Sequence, residues 1–299
     1  MNEDWQKLLP VLVYIQANLD GDLSLAALSQ KAKLSPSHFH RSFKAVLGET
    51  LNHYVTRLRA ERGAFRLLLH EARLLDIALD CGFQNHETFI RAFRRVFGKT
   101  PSEYRQWIRQ HVSERNHQTR VASSQATSAF ELSATKVVRL RSMHLAFLRH
   151  IGPYEAVPNT LFDDLEQWAV RQRVAGPRVW LGIGHDAPIA TQAEHLRFDA
   201  ALVVPDPFEP DGKVGYQQLA GGEFAVTTHA GSFETLPAAY AAIFPRVIAL
   251  PGYQMIGLPA VEIYHSASVN TELRLNRTDI YLPVARCSTE VGVKKQMQQ

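Results

Sequence analysis

The N-terminal third of the chain contains one sequence pattern twice, and this repeat limits the possible fold more than any other feature. Phe, Arg, Phe, Gly, Thr and Tyr recur in register over residues 39–54 and, fifty positions later, over residues 89–104. Upstream, Leu28 matches Ile77 at a spacing of 49, so one copy holds an extra turn residue. An internal repeat in register indicates a duplicated structural unit.

The first copy predicts two short helices joined by a tight turn. Ser24 is a suitable N-cap for a helix over 26–32, and Ser35 can cap a second helix that has Pro36 at its first position. The second helix buries an aromatic and aliphatic stripe at i, i+4 and i+7, and it ends at Gly48.

The second copy repeats this plan with a helix over 76–80 and another over about 85–97. The second helix of each copy, called here its reading helix, has a basic face opposite its buried stripe. This arrangement predicts a helix-turn-helix whose reading helix enters the major groove of DNA. For a single copy the alternative is a helical hairpin with a solvated basic face. The repeat favours DNA reading, because a helical bundle has no reason to place Arg41 and Arg91 at matched positions.

The exposed faces of the two reading helices supply the candidate DNA contacts. Arg41 and Arg91 can contact guanine edges in a bidentate manner. The side chains expected to read bases are Ser37, His40, Arg41, Glu87, Ile90 and Arg91. Other basic side chains fit phosphate contacts, which supply affinity but little sequence information. They are Lys44, Arg94, Arg95 and Lys99.

Helical spacing of apolar residues continues between the copies and predicts one long linking helix over 51–70. This helix would hold the reading helices about one DNA turn, roughly 34 Å, apart. Gly63 inside it costs about 1 kcal/mol against Ala, which indicates close packing at that position. Two reading units in one chain would let a monomer cover two groove segments on one face of DNA.

The run from Leu74 to Arg105 resembles the signature of AraC/XylS-type transcription regulators, and the likeness extends over about residues 5–109. The resemblance implies two helix-turn-helix units that read consecutive major-groove segments at promoters, and we also expect RNA polymerase as a partner. Two positions depart from the family pattern. Gly63 stands where the family usually has Ala, and Ser37 stands where some members carry a large aromatic residue.

Length and charge predict two domains. A chain of 299 residues with 45% apolar content is long enough for two folded cores. We expect a DNA-binding domain over 1–110, a polar linker over 111–133, a small-molecule domain over 134–290 and a tail over 291–299. Residues 1–110 carry 16 Lys and Arg against 11 Asp and Glu, and the remainder carries 17 against 18. The basic excess therefore lies with the proposed DNA reader, as phosphate neutralisation requires.

Several classes of protein are disfavoured by the composition. No apolar run approaches the roughly 18 residues of a membrane span, and the N-terminus lacks a secretion signal. Cys81 and Cys287 fall in different domains, which favours a buried thiol at Cys81 over a disulfide and fits a reducing cytoplasm. The histidines are scattered, and the chain has neither a phosphate loop nor a nucleophile elbow. We therefore expect no metal, no cofactor and no membrane partner.

From residue 135 the pattern changes to apolar strands, with a helix around Leu165. The plan then restarts, because residues 145–158 are echoed by residues 224–237 at a constant offset of 79. The sequence predicts an all-α N-terminal domain, with two helix-turn-helix units joined by a long helix. An α+β C-terminal domain follows, made of a duplicated strand-helix-strand unit with two-fold pseudosymmetry.

A pocket between the pseudosymmetric halves would be the natural place for a ligand. Glu262 lies in an apolar strand, and a carboxylate among aromatic side chains there suits a flat cationic ligand. Tyr264 lies two residues further on the same strand face. The candidate pocket walls are Trp180, Tyr154 and Phe233. The alternative is that Glu262 faces solvent and the aromatic side chains belong to the core.

The half-repeats over 150–155 and 229–234, and Pro-x-x-Glu-x-Tyr over 259–264, resemble the GyrI-like effector-binding domain over residues 135–285. The resemblance implies binding of small molecules or drugs at a central pocket, with a glutamate at the position of Glu262. The order of the two domains is similar to that of Rob-type regulators.

Two other functions for the C-terminal domain stay open at this point. Some relatives of GyrI-like domains are small hydrolases, so Glu262 and Tyr264 could be a general base and its helper. The domain could also be a protein-contact module without a small ligand. A fused DNA reader makes a sensor the simpler account, and we expect a non-enzymatic regulator with a small, cationic aromatic effector.

Overall fold

The computed structural model describes residues 3–108, 110–111, 130–210, 212–257, 259–265 and 276–287. The regular elements described in the N-terminal part are all helices. They are α1 (Glu3–Ala17), α2 (Leu25–Lys31), α3 (Pro36–Leu47), α4 (Leu51–Leu69), α5 (Leu74–Asp80), α6 (His86–Phe97) and α7, which is helical over 101–108 and 110–111.

The helix ends fall where the capping residues predict them. The side chain of Ser35 accepts a hydrogen bond from the His38 amide at the start of α3, and Asn85 does the same for Thr88 at the start of α6. Both reading helices end at a glycine with a left-handed backbone conformation, Gly48 after α3 and Gly98 after α6. The duplicated helix-turn-helix is therefore confirmed in its local structure.

Each unit has its own aromatic core. In the first unit, Phe39 and Phe43 of α3 are fully buried and pack against α1. Helix α1 is not part of the repeated sequence pattern and was not predicted from it. In the second unit, Phe89 and Phe93 of α6 are fully buried beside Tyr104 of α7. Because the two phenylalanines of each reading helix are one turn apart, the opposite helix face is left to solvent.

Gly63 of α4 is the point of closest packing between the linking helix and the second unit. A Cβ atom at this position would lie 2.8 Å from Cε2 of Phe89 and 3.8 Å from Sγ of Cys81. Cys81 is a buried free thiol whose pKa is raised to about 11 by burial. The close packing that the sequence predicts at Gly63 is thus packing against the ring of Phe89.

Gly63→Ala is expected to destabilise the N-terminal domain. Overpacking a filled core costs about 1–3 kcal/mol, against a gain of about 1 kcal/mol in helix propensity. Urea unfolding followed by circular dichroism measures the difference. The same substitution in a Phe89→Leu background, where the clashing ring is absent, is the matched control and should cost less. An equal cost in both backgrounds would contradict this account of Gly63.

The C-terminal part is built on one antiparallel sheet with two long helices. The helices are α8 (Thr160–Arg171) and α9 (Leu236–Ile248). The strands are β1 (Phe130–Leu132), β2 (Lys136–Leu140), β3 (Met143–Ile151), β4 (Trp180–Gly184), β5 (Arg197–Val204), β6 (Gly215–Leu219), β7 (Gly222–Gly231), β8 (Tyr253–Met255), β9 (Ala260–Tyr264) and β10 (Arg277–Arg286).

The sheet order confirms the duplication. The strands follow the order β1-β7-β10-β9-β4-β5-β3-β6, with β2 also on β7 and β8 also on β10. The first half is β3-α8-β4-β5 and the second is β7-α9-β9-β10, so the strand-helix-strand plan is present twice. The two halves meet where β4 pairs with β9.

The predicted boundary between linker and C-terminal domain differs from the structure. Residues 130–132, assigned above to the linker over 111–133, form strand β1 and pair with β7. The strand was missed because three residues are too few to show alternation. Residues 112–129 and the predicted tail over 291–299 lie outside the described residues. Within the described chain, no helix is both long and apolar enough to cross a bilayer.

The two domains share an interface. Helix α1 packs one side into the first unit, and on its other side Leu9 packs with Phe147 and Leu181 of the sheet. The rings of Phe65 in α4 and Phe244 in α9 lie 6.4 Å apart. This α1 face of the sheet is opposite the face that carries α8 and α9, because side chains alternate along each strand.

Candidate functional site

The reading helix of the first unit presents a polar and basic face to solvent. Ser37, His40, Arg41 and Lys44 are all exposed, while the intervening phenylalanines are buried. A shallow depression of about 310 Å³ lies at the start of this face, and its lining includes Leu25 of α2 as well as the first three of these residues.

The reading helix of the second unit has the same organisation. Glu87, Arg91, Arg94 and Arg95 are exposed, and Ile90 is half-buried. Lys99, just beyond the helix, is exposed as well, with its Nζ 5.9 Å from the centroid of the Trp107 ring. In the part of the chain that the structure describes, neither Arg41 nor Arg91 forms an ion pair.

The linking helix α4 separates the two reading helices, so its length bears on the distance between their exposed faces. Helix α4 has 19 residues and is therefore about 28 Å long at 1.5 Å per residue. The predicted separation of the reading helices by one DNA turn is compatible with a helix of this length and stays a prediction. Each of the two helices buries aromatic side chains on one face and exposes basic side chains on the other. The basic side chains can form hydrogen bonds with phosphate oxygens and guanine edges.

Glu262 lies at the junction of the two halves of the C-terminal sheet. It is only 8% exposed, so the alternative in which it faces solvent is wrong. Its Oε1 accepts a hydrogen bond from Tyr240 Oη at 2.9 Å, and its Oε2 accepts one from Tyr264 Oη at 2.5 Å. Burial raises the pKa of Glu262, and the two hydroxyl groups only partly offset that rise.

Aromatic rings surround this carboxyl group. The ring of Tyr264 lies 5.4 Å from that of Phe233 and 5.6 Å from that of Phe162, both edge to face. Phe162 also lies 6.0 Å from Trp180. The structure therefore brings together Glu262, Tyr264, Phe233 and Trp180 of the predicted pocket.

Tyr240 of α9 and Phe162 of α8 belong to this group of side chains around Glu262, and sequence reasoning missed them. Both lie near the start of a helix whose apolar stripe indicates packing on the sheet, which gave no reason to assign them to a ligand site. At the offset of 79, Phe162 matches Ala241 and Tyr240 matches Leu161, so the duplication did not point to either ring.

Gly182 faces Glu262 across the β4–β9 pairing. A Cβ atom there would lie 2.2 Å from Tyr264 Oη and 2.7 Å from Cζ of Phe198. Glycine inside a strand often marks such a close approach. The Gly182-x-Gly184 pair lies within strand β4 and thus makes room for the aromatic rings beside Glu262.

Tyr154 differs from the other predicted wall residues. Its hydroxyl group donates to the Asp186 carbonyl at 2.8 Å and accepts from the Asp186 amide at 3.1 Å. Its ring lies over Gly184 and 6.2 Å from the ring of Phe198. Tyr154 therefore borders the pocket through its ring, while its hydroxyl group is held by main-chain atoms.

The chemistry of the pocket favours a ligand with positive charge and flat apolar faces. A cation beside Glu262 would stabilise its buried carboxylate form, and the ring faces attract cations. Among the described residues, no group of three or more His, Cys, Asp or Glu side chains is arranged to hold a metal ion.

Comparison with known proteins assigns two parts of the chain to families. The profile of the GyrI-like small molecule binding domain matches residues 134–285, and a helix-turn-helix domain profile matches residues 28–106. The right origin-binding protein of Escherichia coli (strain K12) is 38% identical over 95 residues, 32% of this chain and 33% of that protein. Regulatory protein SoxS of the same strain is 35% identical over 101 residues, 33% of this chain and 94% of that protein.

The chain thus matches about a third of the length of the right origin-binding protein. The GyrI-like match is longer, since it extends over more than half of the 299 residues. The chain belongs to the GyrI-like small-molecule-binding family, and it joins that domain to an AraC-type helix-turn-helix domain.

Proposed function

We propose that this protein is a sequence-specific transcription regulator that binds double-stranded DNA through α3 and α6. The observation that carries the proposal is the exposure of Arg41 and Arg91 at matched positions on two helices that bury matched phenylalanines. Relatives over the N-terminal part include a protein named as a transcriptional regulator, Rob of Salmonella typhimurium, at 38% identity over 95 residues. RNA polymerase is the proposed second macromolecular partner.

The proposed contacts divide into side chains that read bases and side chains further along that bind phosphates. The proposed base-reading side chains are Ser37, His40, Arg41, Glu87, Ile90 and Arg91. The proposed phosphate contacts are Lys44, Arg94, Arg95 and Lys99. Half-burial of Ile90 is compatible with an apolar contact to a thymine methyl group, which needs little reach.

Selection of genomic DNA fragments by the purified full chain tests this function. We expect recovery of fragments that share one motif with two conserved segments about one helical turn apart. Recovery of fragments without a common motif, at an affinity that falls uniformly with salt, would indicate a non-specific DNA-binding protein instead.

Lys44→Ala is expected to reduce the salt dependence of DNA binding rather than its sequence preference. Loss of one phosphate contact lowers the slope of log K against log salt by about 0.9. Fluorescence anisotropy titrations over a range of salt concentrations measure that slope. Lys136→Ala removes the same charge from an exposed strand position of the C-terminal domain and should leave the slope unchanged. A wild-type slope in Lys44→Ala would exclude this phosphate contact.

The C-terminal domain is proposed to bind a small aromatic cation beside Glu262. The buried carboxyl group, two tyrosine hydroxyl groups and three further rings support this ligand class. Calorimetric titration with tetraphenylphosphonium tests it, because this cation does not intercalate into DNA. Tetraphenylborate has the same shape and the opposite charge, and it should bind much more weakly.

The hydrogen-bonded pair of Glu262 and Tyr264 also keeps a hydrolase as the second candidate, because a general base with a nearby hydroxyl donor is a catalytic arrangement. Glu262→Gln separates the two functions. A sensor loses affinity for the cation, whereas a hydrolase loses turnover of an ester substrate that the wild type cleaves. If neither cations nor esters interact with the wild type, the domain is a protein-contact module.

A further inference from the structure

Gln16, in the last turn of α1, forms hydrogen bonds with the C-terminal domain at both ends of its amide group. Its Nε2 donates to Nδ1 of His185 at 2.7 Å, and its Oε1 accepts from Nη1 of Arg197 at 3.3 Å. These two partners follow β4 and begin β5, the strands next to the pocket. Hydrogen bonds from the other domain therefore hold both the nitrogen and the oxygen of the Gln16 amide group in place.

His185 is held in the tautomer that this contact requires. Its Nε2 lies 2.6 Å from Oδ2 of Asp199, which is fully buried and also accepts a bidentate pair of hydrogen bonds from Arg149. Burial lowers the pKa of His185, so the ring is neutral near pH 7. The proton therefore sits on Nε2 toward Asp199, which leaves Nδ1 as the acceptor for Gln16.

Arg197 is fixed equally firmly by a buried ion pair. Its Nη2 and Nε lie 2.6 and 2.9 Å from the two carboxylate oxygens of Asp186, and its main-chain amide donates to the same group at 2.8 Å. Three hydrogen bonds therefore tie the segment around Asp186 and the start of β5 into one body.

The pocket holds this same body from the other face of the sheet. The hydroxyl group of Tyr154 is hydrogen-bonded to the carbonyl and the amide of Asp186 and also lies 3.4 Å from the Arg197 carbonyl oxygen. The ring of Tyr154 contacts Phe198, and Phe198 lies with Tyr264 over Gly182. Tyr264, Phe198 and Tyr154 therefore follow one another from the Glu262 carboxyl group to the main chain of Asp186.

We propose that Gln16 is a positioning residue that couples the ligand pocket to the DNA reader. A ligand that displaces Tyr264 would act on Phe198 and Tyr154, and through them on the segment that holds Gln16. Helix α1 in turn packs its other side on α3, so its position determines how the first unit is presented to DNA. This inference rests on the proposed function, since it assigns a regulation to the same pocket.

The side-chain amide resonance of Gln16 reports this coupling directly in the ¹⁵N-labelled full chain. The signal is assigned by its loss in Gln16→Met, a substitution of nearly equal length. Tyr154→Phe keeps the ring and removes only the hydroxyl group, so the fold is retained. We expect it to shift the Gln16 signal and to leave the signal of Gln6, an exposed residue of the same helix, unchanged. An unshifted Gln16 signal would overturn the proposal.

A second arm measures the functional consequence. Tetraphenylphosphonium should change the DNA dissociation constant of the wild type by about fivefold or more, a typical allosteric coupling. In Gln16→Met the change should fall below about twofold, while Gln6→Met keeps the wild-type response. Coupling that survives in Gln16→Met, or a wild type that binds the cation without any change in DNA affinity, contradicts the inference.

The two arms separate the inference from the proposed function. If the wild type does not bind tetraphenylphosphonium, the proposed effector class is wrong. The response of the Gln16 signal to Tyr154→Phe needs neither ligand nor DNA. It therefore still tests the coupling between Tyr154 and Gln16 when the effector class is wrong.

Discussion

The Arg41→Ala/Arg91→Ala double variant is expected to bind its selected DNA site roughly 2–6 kcal/mol more weakly than the wild type, because each bidentate arginine–guanine pair contributes about 1–3 kcal/mol. The two side chains lie on separate units, so their effects should add. Both are exposed and lie opposite fully buried phenylalanines, so their removal should leave the free energy of unfolding nearly unchanged.

Fluorescence anisotropy with the selected fragment measures the loss. Arg139→Ala/Arg171→Ala removes two exposed arginines from the C-terminal domain and is the matched control. The single variants carry the finer test. Arg91→Ala should relax the preference at one base pair of the site, and Arg41→Ala at a base pair in the other half. If Arg91→Ala weakens binding to all sequences equally, Arg91 is a phosphate contact and another side chain reads the base.

Glu262→Gln should lower the affinity for tetraphenylphosphonium by about 2–4 kcal/mol, in the range measured when one partner of a buried charge pair is removed. The substitution keeps the shape of the side chain and its position between Tyr240 and Tyr264. It removes the charge and turns one acceptor oxygen into an NH2 donor, to which the facing tyrosine hydroxyl group can act as acceptor instead. The affinity for tetraphenylborate should therefore stay the same or rise. Equal losses for both ions would mean that the pocket was deformed rather than neutralised.

The same variant should change the pH dependence of stability. The pKa of Glu262 is raised in the folded state by burial, from a reference value of 4.5. A carboxyl group of this kind favours folding while it is protonated, so stability falls as the pH rises from about 4.5 through the raised folded value. Glu262→Gln should lack this fall and be more stable than the wild type at neutral pH. A parallel pH profile for the two proteins would contradict burial as the dominant cause.

The helix-turn-helix units could be predicted closely because their signals are local. Ser35, Asn85 and Gly48 determine helix ends through their own side chains or backbone freedom, and the in-register repeat identifies the second unit once the first is read. Gly63 could be recognised as a close contact, but its partner could not, because Phe89 is distant in sequence and meets it only in the folded domain.

The pocket could be predicted only in part. Strand alternation identifies the face of Glu262 and Tyr264, and the duplication identifies the junction of the halves. Tyr240 and Phe162 come from helices whose rotation on the sheet depends on packing across the whole domain. The role of Tyr154 differs for the same reason, since its hydroxyl partner, Asp186, lies in a loop without a regular pattern.

The contact between the domains was beyond sequence reasoning. Helix α1 is apolar on two sides, but its amphipathic pattern alone does not reveal that Leu9 packs on a sheet from another domain. Gln16 carries no sequence signal at all. Its importance follows only from the positions of His185 and Arg197 in the folded chain.

Guanine methylation interference on the selected fragment tests the central claim most directly. If one chain presents two reading helices, methylation should block binding in two major-groove windows whose centres lie about 10 base pairs apart on one face of the duplex. Arg41→Ala should remove one window and Arg91→Ala the other, with one chain bound per fragment. A single window, or two windows that both survive the loss of either arginine, would contradict the account.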